Sequence, residues 1–131
     1  MPAQPVMLIN NGIISMKNII VISTDSNLAE TLTGALPYNF TCAEAFEHPD
    51  QLFAQLNRLN PDLVIIDFML DDLNGGGTVH QIKSDSRWRS LPVIILSEFS
   101  AEQMSNKFGS DAMIKKPFNF TELDTLIKQL L

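Results

Sequence analysis

Five short apolar runs, separated by stretches in which hydrophobic residues recur every three or four positions, organise the chain from residue 19 onward. Ile19-Ile20-Val21-Ile22 is continuous rather than alternating, which predicts a strand buried on both faces of a parallel sheet. Leu28, Leu32 and Ala35 with Leu36 then share one helical face, which Asp25 or Ser26 can cap and Pro37 ends. A weaker run from Phe40 to Phe46 predicts an edge strand. Pro49-Asp50 opens the next helix, with Leu52, Phe53, Leu56 and Leu59 facing inward. After the Asn60-Pro61-Asp62 turn, Leu63-Val64-Ile65-Ile66 is the most apolar strand and delivers Asp67 at its C-terminal end. A loop rich in glycine and acid, Phe68 to Gly77, leads into a short helix through Ile82. Pro92 to Leu96 predicts the fourth strand, ending at Ser97, and Ser100-Ala101-Glu102-Gln103 has the form of a capping box that starts a fourth helix. Asp111 to Ile114 predicts the fifth strand. Beyond Lys115-Lys116-Pro117, Thr121 starts a last helix in which Leu123, Leu126, Ile127 and Leu130 recur at helical spacing.

Strand and helix in strict alternation call for crossover connections, so the fold class is α/β with a parallel sheet. At 131 residues there is room for one domain, expected over 16–131 after an N-terminal appendage, 1–15, expected to be disordered. Met16-Lys17 stands directly before the first strand and is a candidate translation start. A net charge of −6 with nine Lys plus Arg, and no basic run, argues against direct nucleic-acid binding. The apolar runs reach only four to six residues, against the roughly 18–20 that cross a bilayer. The amino terminus also lacks a basic leader, so neither membrane insertion nor secretion is expected. Cys42 is the only cysteine and reads as a small buried hydrophobe; without a possible intrachain disulfide, the chain is expected in a reducing, cytoplasmic compartment.

Chemistry gathers beyond the carboxyl ends of strands in open parallel sheets. Three polar residues sit at such ends here: Asp67, Ser97 and Lys116. Each alone is an ordinary turn or capping residue. In this order and spacing, however, Pro61-Asp62-Leu63-Val64-Ile65-Ile66-Asp67-Phe68-Met69-Leu70, then Leu73-Asn74-Gly75, then Leu91-Pro92-Val93-Ile94-Ile95-Leu96-Ser97, and finally Lys116-Pro117-Phe118, resemble the receiver domain of bacterial response regulators, over about residues 17–131. The resemblance implies a doubly wound five-stranded sheet of order 2-1-3-4-5, the flavodoxin-like receiver fold. It implies that Asp67 accepts a phosphoryl group from a histidine kinase or phosphotransfer protein. Ser97 would hydrogen-bond the phosphoryl oxygen, Lys116 would pair with the carboxylate and then the phosphate, and the Lys116-Pro117 bond would be cis. The chemistry suits these residue types, because a carboxylate is a competent nucleophile and an ammonium neutralises charge on the transferring oxygens.

The sequence departs from the family at the metal. Receivers normally carry two adjacent acids after the first strand, which hold magnesium together with the acceptor and the backbone carbonyl two residues beyond it, here that of Met69. Those positions read Ser23-Thr24. Magnesium prefers one or two carboxylates, and a unit-charge pair at ~4 Å is worth roughly 4 kcal/mol at an effective dielectric of ~20 before desolvation. Magnesium binding is therefore expected to be weak, and no organic cofactor is expected. Asp25, one residue late, joins Asp67, Met69, Ser23 and Thr24 in the expected weak or absent metal set, while Glu98, Asp71 and Asp72 are candidate modulators; Glu98 stands where receivers keep a small residue, so it could obstruct the donor, repel phosphate or lend a metal a ligand. Met113 occupies the switch position usually held by Tyr or Phe, where it could equally be plain core filler. His48 and His80 are isolated and suggest no metal site.

The leading expectation is thus a stand-alone receiver, a signalling phosphoacceptor rather than an enzyme, acting by protein contact through a face where Met104, Phe108 and Lys115 would lie. The alternative is a phosphorylation-independent pseudo-receiver serving as an interaction module. A flavin-binding flavodoxin-like protein would use Ser23-Thr24-Asp25-Ser26 as a phosphate cradle, but no glycine stands there and neither Trp88 nor Tyr38 is placed to stack on a flavin. An aspartate-nucleophile phosphatase would want an acid where Met69 stands.

Overall fold

A computed structural model describes residues 6–9, 12–25, 27–43, 49–70, 73–99 and 109–131. Nine strands and four helices lie among them: β1 (Val6–Ile9), β2 (Gly12–Ser15), β3 (Asn18–Ile22), α1 (Leu28–Ala35), β4 (Asn39–Cys42), α2 (Pro49–Leu59), β5 (Leu63–Asp67), β6 (Met69–Leu70), β7 (Leu73–Asn74), α3 (Gly75–Ser84), β8 (Val93–Ser97), β9 (Ala112–Lys115) and α4 (Phe120–Leu130). Five of the strands form one parallel sheet in the order β4-β3-β5-β8-β9. Counted along the chain this is the doubly wound order 2-1-3-4-5, and β4 is the edge strand that its weaker apolar run predicts.

The central strands β5 and β8 are buried along their whole length, as unbroken apolar runs require when helices cover both faces of a sheet. Alternate side chains feed two cores. Ile20, Val64, Ile66 and Ile95 pack with Leu52 and Leu56 of α2 and Val79 and Ile82 of α3. Ile19, Val21, Leu63, Ile65 and Ile94 pack with Leu32 of α1 and Leu123 and Ile127 of α4. Each such side chain, fully withdrawn from water, stabilises the fold by about 1.5–3 kcal/mol before entropy is counted. Asn119 caps α4, its side chain accepting the Glu122 N–H at 2.7 Å, so this helix begins one residue before the predicted Thr121.

Several local expectations are corrected. The helix after Asp67 starts at Gly75 rather than beyond Gly77, and two short antiparallel strands, β6 and β7, precede it. In α1 the buried residues are Ala29 and Leu32; Ala35 is exposed, because the chain leaves the helix after it and Leu36 takes an extended backbone as the C-cap. The N-cap of that helix is Asn27, without a side-chain cap bond, while Asp25 accepts the Asn27 N–H at 3.0 Å one turn earlier. Cys42 is exposed, not buried: it is the last residue of an edge strand with a neighbour on one side only. Among the described residues before position 16, β1 and β2 pair antiparallel from Val6↔Ser15 to Ile9↔Gly12. Ser26, Phe46, His48, Asp71, Asp72 and residues 100–108, which include the predicted capping box, Met104 and Phe108, lie outside the described residues. Among the described residues, no helix is long and apolar enough to cross a membrane.

Tyr38 ties the α1–β4 connection to α4 by donating its hydroxyl to Asp124 Oδ1 at 2.7 Å. Burial, reinforced by that carboxylate, pushes the Tyr38 phenol up to about 12, and the Tyr38 hydrogen bond in turn lowers Asp124. A phenol whose folded value is raised stabilises the fold fully below its unfolded value of about 10 and loses that contribution as pH climbs through 12. Because Tyr38 is the only tyrosine, phenolate absorbance reads it directly: the midpoint is expected near 12, not 10. Tyr38→Phe should lower stability at neutral pH by about 1 kcal/mol and remove this part of the alkaline slope.

Candidate functional site

The parallel register carries four strand ends to one side of the sheet. Ile22 pairs with Ile66, so Ser23, the next residue after β3, lies beside Asp67, the last residue of β5. Asp67 in turn pairs with Leu96, and Ser97 with Lys115, so Lys116 leaves β9 one residue beyond the hydroxyl position. Backbone bonds fasten these ends: Lys116 N–H donates to the Ser97 carbonyl at 2.7 Å and Phe68 N–H to the Leu96 carbonyl at 2.8 Å. The Lys116-Pro117 peptide is cis.

Asp67 is only 3% exposed, and an ionised carboxylate withdrawn from water requires partners. It has them on both oxygens. The Ser23 hydroxyl donates a hydrogen bond to Oδ2, and the Lys116 ammonium forms an ion pair with Oδ1. The latter is a contact of charge rather than an aligned hydrogen bond, since Oδ1 otherwise lacks a hydrogen-bond donor among the described residues. Ser23 is itself oriented: its Oγ accepts the Asp25 N–H at 3.0 Å, which leaves its proton for Asp67.

Despite its burial, the Asp67 carboxylate borders a cavity of about 660 Å³, lined also by Ser23, Asp25, Leu28, Glu98 and Lys116 and walled by Pro117, Phe118 and Phe120. Asp67 and Lys116 are thus brought together at one space. Ser97 is not among its lining residues; it is 2% exposed, and its Oγ accepts the Phe99 N–H at 3.0 Å. The expected trio therefore converges in the sheet, with the hydroxyl behind the cavity surface rather than on it. Thr24 is exposed and is not among the described residues that line the cavity; Met69 opens β6. Met113 packs partly buried against the core containing Ile95. His80 is exposed, 3.5 Å from Ser84 Oγ.

For a divalent metal the donor set is poor. Asp25, Asp67 and Glu98 all border the cavity, yet among the described residues no three His, Cys, Asp or Glu side chains converge closely enough to hold an ion. One oxygen of Asp67 is taken by a hydroxyl donor and the other faces an ammonium. Asp25 Oδ1 is engaged by a backbone N–H of its own loop. These residues do not fit magnesium as hard-oxygen ligands of an octahedral ion would.

Sequence reasoning also passes over Gly75. It opens α3 against the Asp67–Phe68 peptide, donating its N–H to the Phe68 carbonyl at 2.8 Å. A Cβ there would lie deep inside contact with the Asp67 carbonyl oxygen and 2.9 Å from Phe68 Cα. The signal was the glycine run Gly75-Gly76-Gly77, which reads as loop until the helix is seen to need close backbone approach.

The comparisons with known proteins agree with this geometry. The family model for the response regulator receiver domain matches residues 19–128. The chain therefore belongs to the receiver-domain family of two-component response regulators. Among curated relatives, the phosphate regulon transcriptional regulatory protein PhoB of Escherichia coli is 30% identical over 119 residues, covering 88% of this chain and 52% of PhoB. The chain spans about half the length of the curated relatives it matches. Among solved structures, the response regulator TrrA of Thermotoga maritima, in complex with Mg(2+)-BeF, superposes with a TM-score of 0.71 at 26% identity, covering 88% of this chain and 100% of TrrA. The chemotaxis response regulator CheY4 of Vibrio cholerae superposes with a TM-score of 0.74 at 17% identity, covering 89% of this chain and 100% of CheY4; it shares the fold.

Gly75→Ala is expected to cost about 1–3 kcal/mol, since a methyl group must push two backbones apart. Gly77→Ala, two residues on in the same helix with open space around the position, should instead stabilise by about 0.5–1 kcal/mol. Urea unfolding followed by the fluorescence of Trp88, the only tryptophan, measures both.

Proposed function

We propose that this domain is a phosphoacceptor in which Asp67 receives a phosphoryl group from the phosphohistidine of a histidine kinase or phosphotransfer protein, and that it signals by protein contact. The observation that carries the reading is the pairing of the buried Asp67 carboxylate with the partly exposed Lys116 ammonium at the edge of one cavity. An Asp67 oxygen attacks phosphorus, forming an acyl phosphate, while the phosphorus–nitrogen bond breaks and its electron pair returns to the imidazole. Protonated on its other nitrogen, the imidazole leaves neutral. Lys116 then faces the phosphoryl oxygens, and the transfer depends on positioning and charge rather than on further covalent chemistry. Ser97, behind the cavity and bonded to Phe99 N–H, is the hydroxyl that would turn toward the phosphoryl group, and Met113 the neighbour through which that motion reaches the outer face. Magnesium has at most a weakened part, because Ser23 and Thr24 replace the acids that hold it in relatives and the donors present do not converge.

Glu98 gives the pseudo-receiver alternative its own support, since an exposed carboxylate borders the space a dianionic donor must use. Incubation with acetyl phosphate followed by intact-mass analysis separates the readings. The mass gain of one phosphoryl group is expected in the wild type and not in Asp67→Ala; no gain in the wild type leaves an interaction module. Glu98→Ala should accelerate the gain roughly fivefold, the effect of removing about 1 kcal/mol of like-charge repulsion at a solvated contact, and Lys116→Ala should slow it.

A further inference from the structure

The loop after β3, where the family holds its metal, is closed by hydrogen bonds of its own. The Asp25 N–H donates to Ser23 Oγ at 3.0 Å, the Ser23 hydroxyl donates to Asp67 Oδ2, and Asp25 Oδ1 accepts the Asn27 N–H at 3.0 Å just ahead of α1. A hydroxyl has one proton, so a backbone donor on its oxygen directs that proton to the carboxylate. On the other side Lys116 holds Oδ1. The plane of the Asp67 carboxylate is thereby fixed by one neutral donor and one cation, each oxygen retaining a lone pair for attack. Hydrogen bonds to a charged acceptor are among the stronger ones a protein makes.

We propose that Ser23 is a positioning residue for Asp67, its hydroxyl doing for one carboxylate oxygen what a divalent cation does in receivers with acids at this place, so that phosphorylation is independent of magnesium. The inference rests on Asp67 being the phosphoacceptor. With acetyl phosphate as donor, the bond between phosphorus and the bridging oxygen breaks, its electron pair leaves on acetate, and the new phosphorus–oxygen bond forms at Asp67. No proton need move, so a neutral hydroxyl that only orients the nucleophile suffices.

The test measures the rate of phosphoryl mass gain from acetyl phosphate in EDTA and in excess magnesium chloride, alongside a magnesium chloride titration of the ¹⁵N-labelled protein read at the Asp67 amide. The wild type should react at the same rate in both solutions, with an Asp67 amide that does not move. Ser23→Ala should slow the reaction in EDTA roughly tenfold or more, the loss of one charge-assisted hydrogen bond. Ser23→Thr should restore it, which a loss of fold would not permit. The double variant Ser23→Asp with Thr24→Asp should become magnesium-dependent and show a saturable shift at Asp67. A wild-type rate that requires magnesium, or a Ser23→Ala rate equal to wild type, overturns the proposal. If the wild type gains no mass in either solution, the phosphoacceptor reading fails and this proposal falls with it; a wild type that gains mass but shows a saturable magnesium shift at Asp67 overturns the role of Ser23 alone.

Discussion

A carboxylate at the end of a strand buried on both faces is the constraint around which this molecule is arranged. Asp67 is all but removed from water, and a buried ionised group is tolerated only with partners close at hand. Those partners come from the neighbouring strand ends, so the strand register is chemical as well as structural. The pairing of Ile22 with Ile66 brings the Ser23 hydroxyl to Asp67, and the pairing of Ser97 with Lys115 brings Lys116 from the far side. A slip of one residue in either ladder would turn every apolar side chain of that strand to the opposite face, and would also displace the partner that ladder delivers. Packing of the two cores and pairing of the charge therefore select the same register.

The same economy governs the approach of α3. Its first residue sits on the Asp67–Phe68 peptide, and only a residue without a side chain fits there. Asp67 is thus held from three directions: by its strand neighbours, by the Ser23 and Lys116 side chains, and from above by a helix whose Val79 and Ile82 are anchored in the core. Farther away, Lys83 of that helix pairs with Asp111 at 2.7 Å and donates to the Leu91 carbonyl at 2.7 Å, while Asp111 accepts the Val93 N–H at 2.8 Å. This ties α3 to the beginnings of β8 and β9. Placement at the site depends on contacts at both ends of the sheet.

What the sequence makes legible follows the range of the interactions involved. Continuous runs such as Leu63 to Ile66 declare central strands because burial on both faces leaves no polar position, and the strand order and the Asp67–Lys116 pairing follow from the family motif those strands carry. The Ser23–Asp67 hydrogen bond spans 44 positions. Nothing local to Ser23 announces it, although standing one residue after a strand beside the acceptor strand was a usable signal. Gly75 was misread because three consecutive glycines have low helix propensity, and tertiary contact with a backbone outweighed it. Cys42 and Ala35 were misassigned for the same reason in reverse: apolar character predicts burial, but the last residue of an edge strand or of a helix runs out of neighbours. Ser97 was placed correctly in the ladder, yet which way its hydroxyl turns is decided by the Phe99 N–H, a contact made by the loop and not by the strand.

Charge at the cavity sets what such a site can do once a phosphoryl group has arrived. Among the residues lining it, Lys116 is the single cation beside three carboxylates, Asp25, Asp67 and Glu98. An acyl phosphate would replace the one negative charge of Asp67 by approximately two, and among the described residues lining the cavity the compensating cation is an ammonium that is partly exposed and screened by solvent. Phosphoryl transfer draws its acceleration from positioning and from neutralising charge on the equatorial oxygens. Here positioning is well provided, through two partners on the carboxylate and a glycine-fitted helix, while neutralisation is thin. A site so balanced favours accurate placement of the Asp67 carboxylate over neutralisation of charge around it.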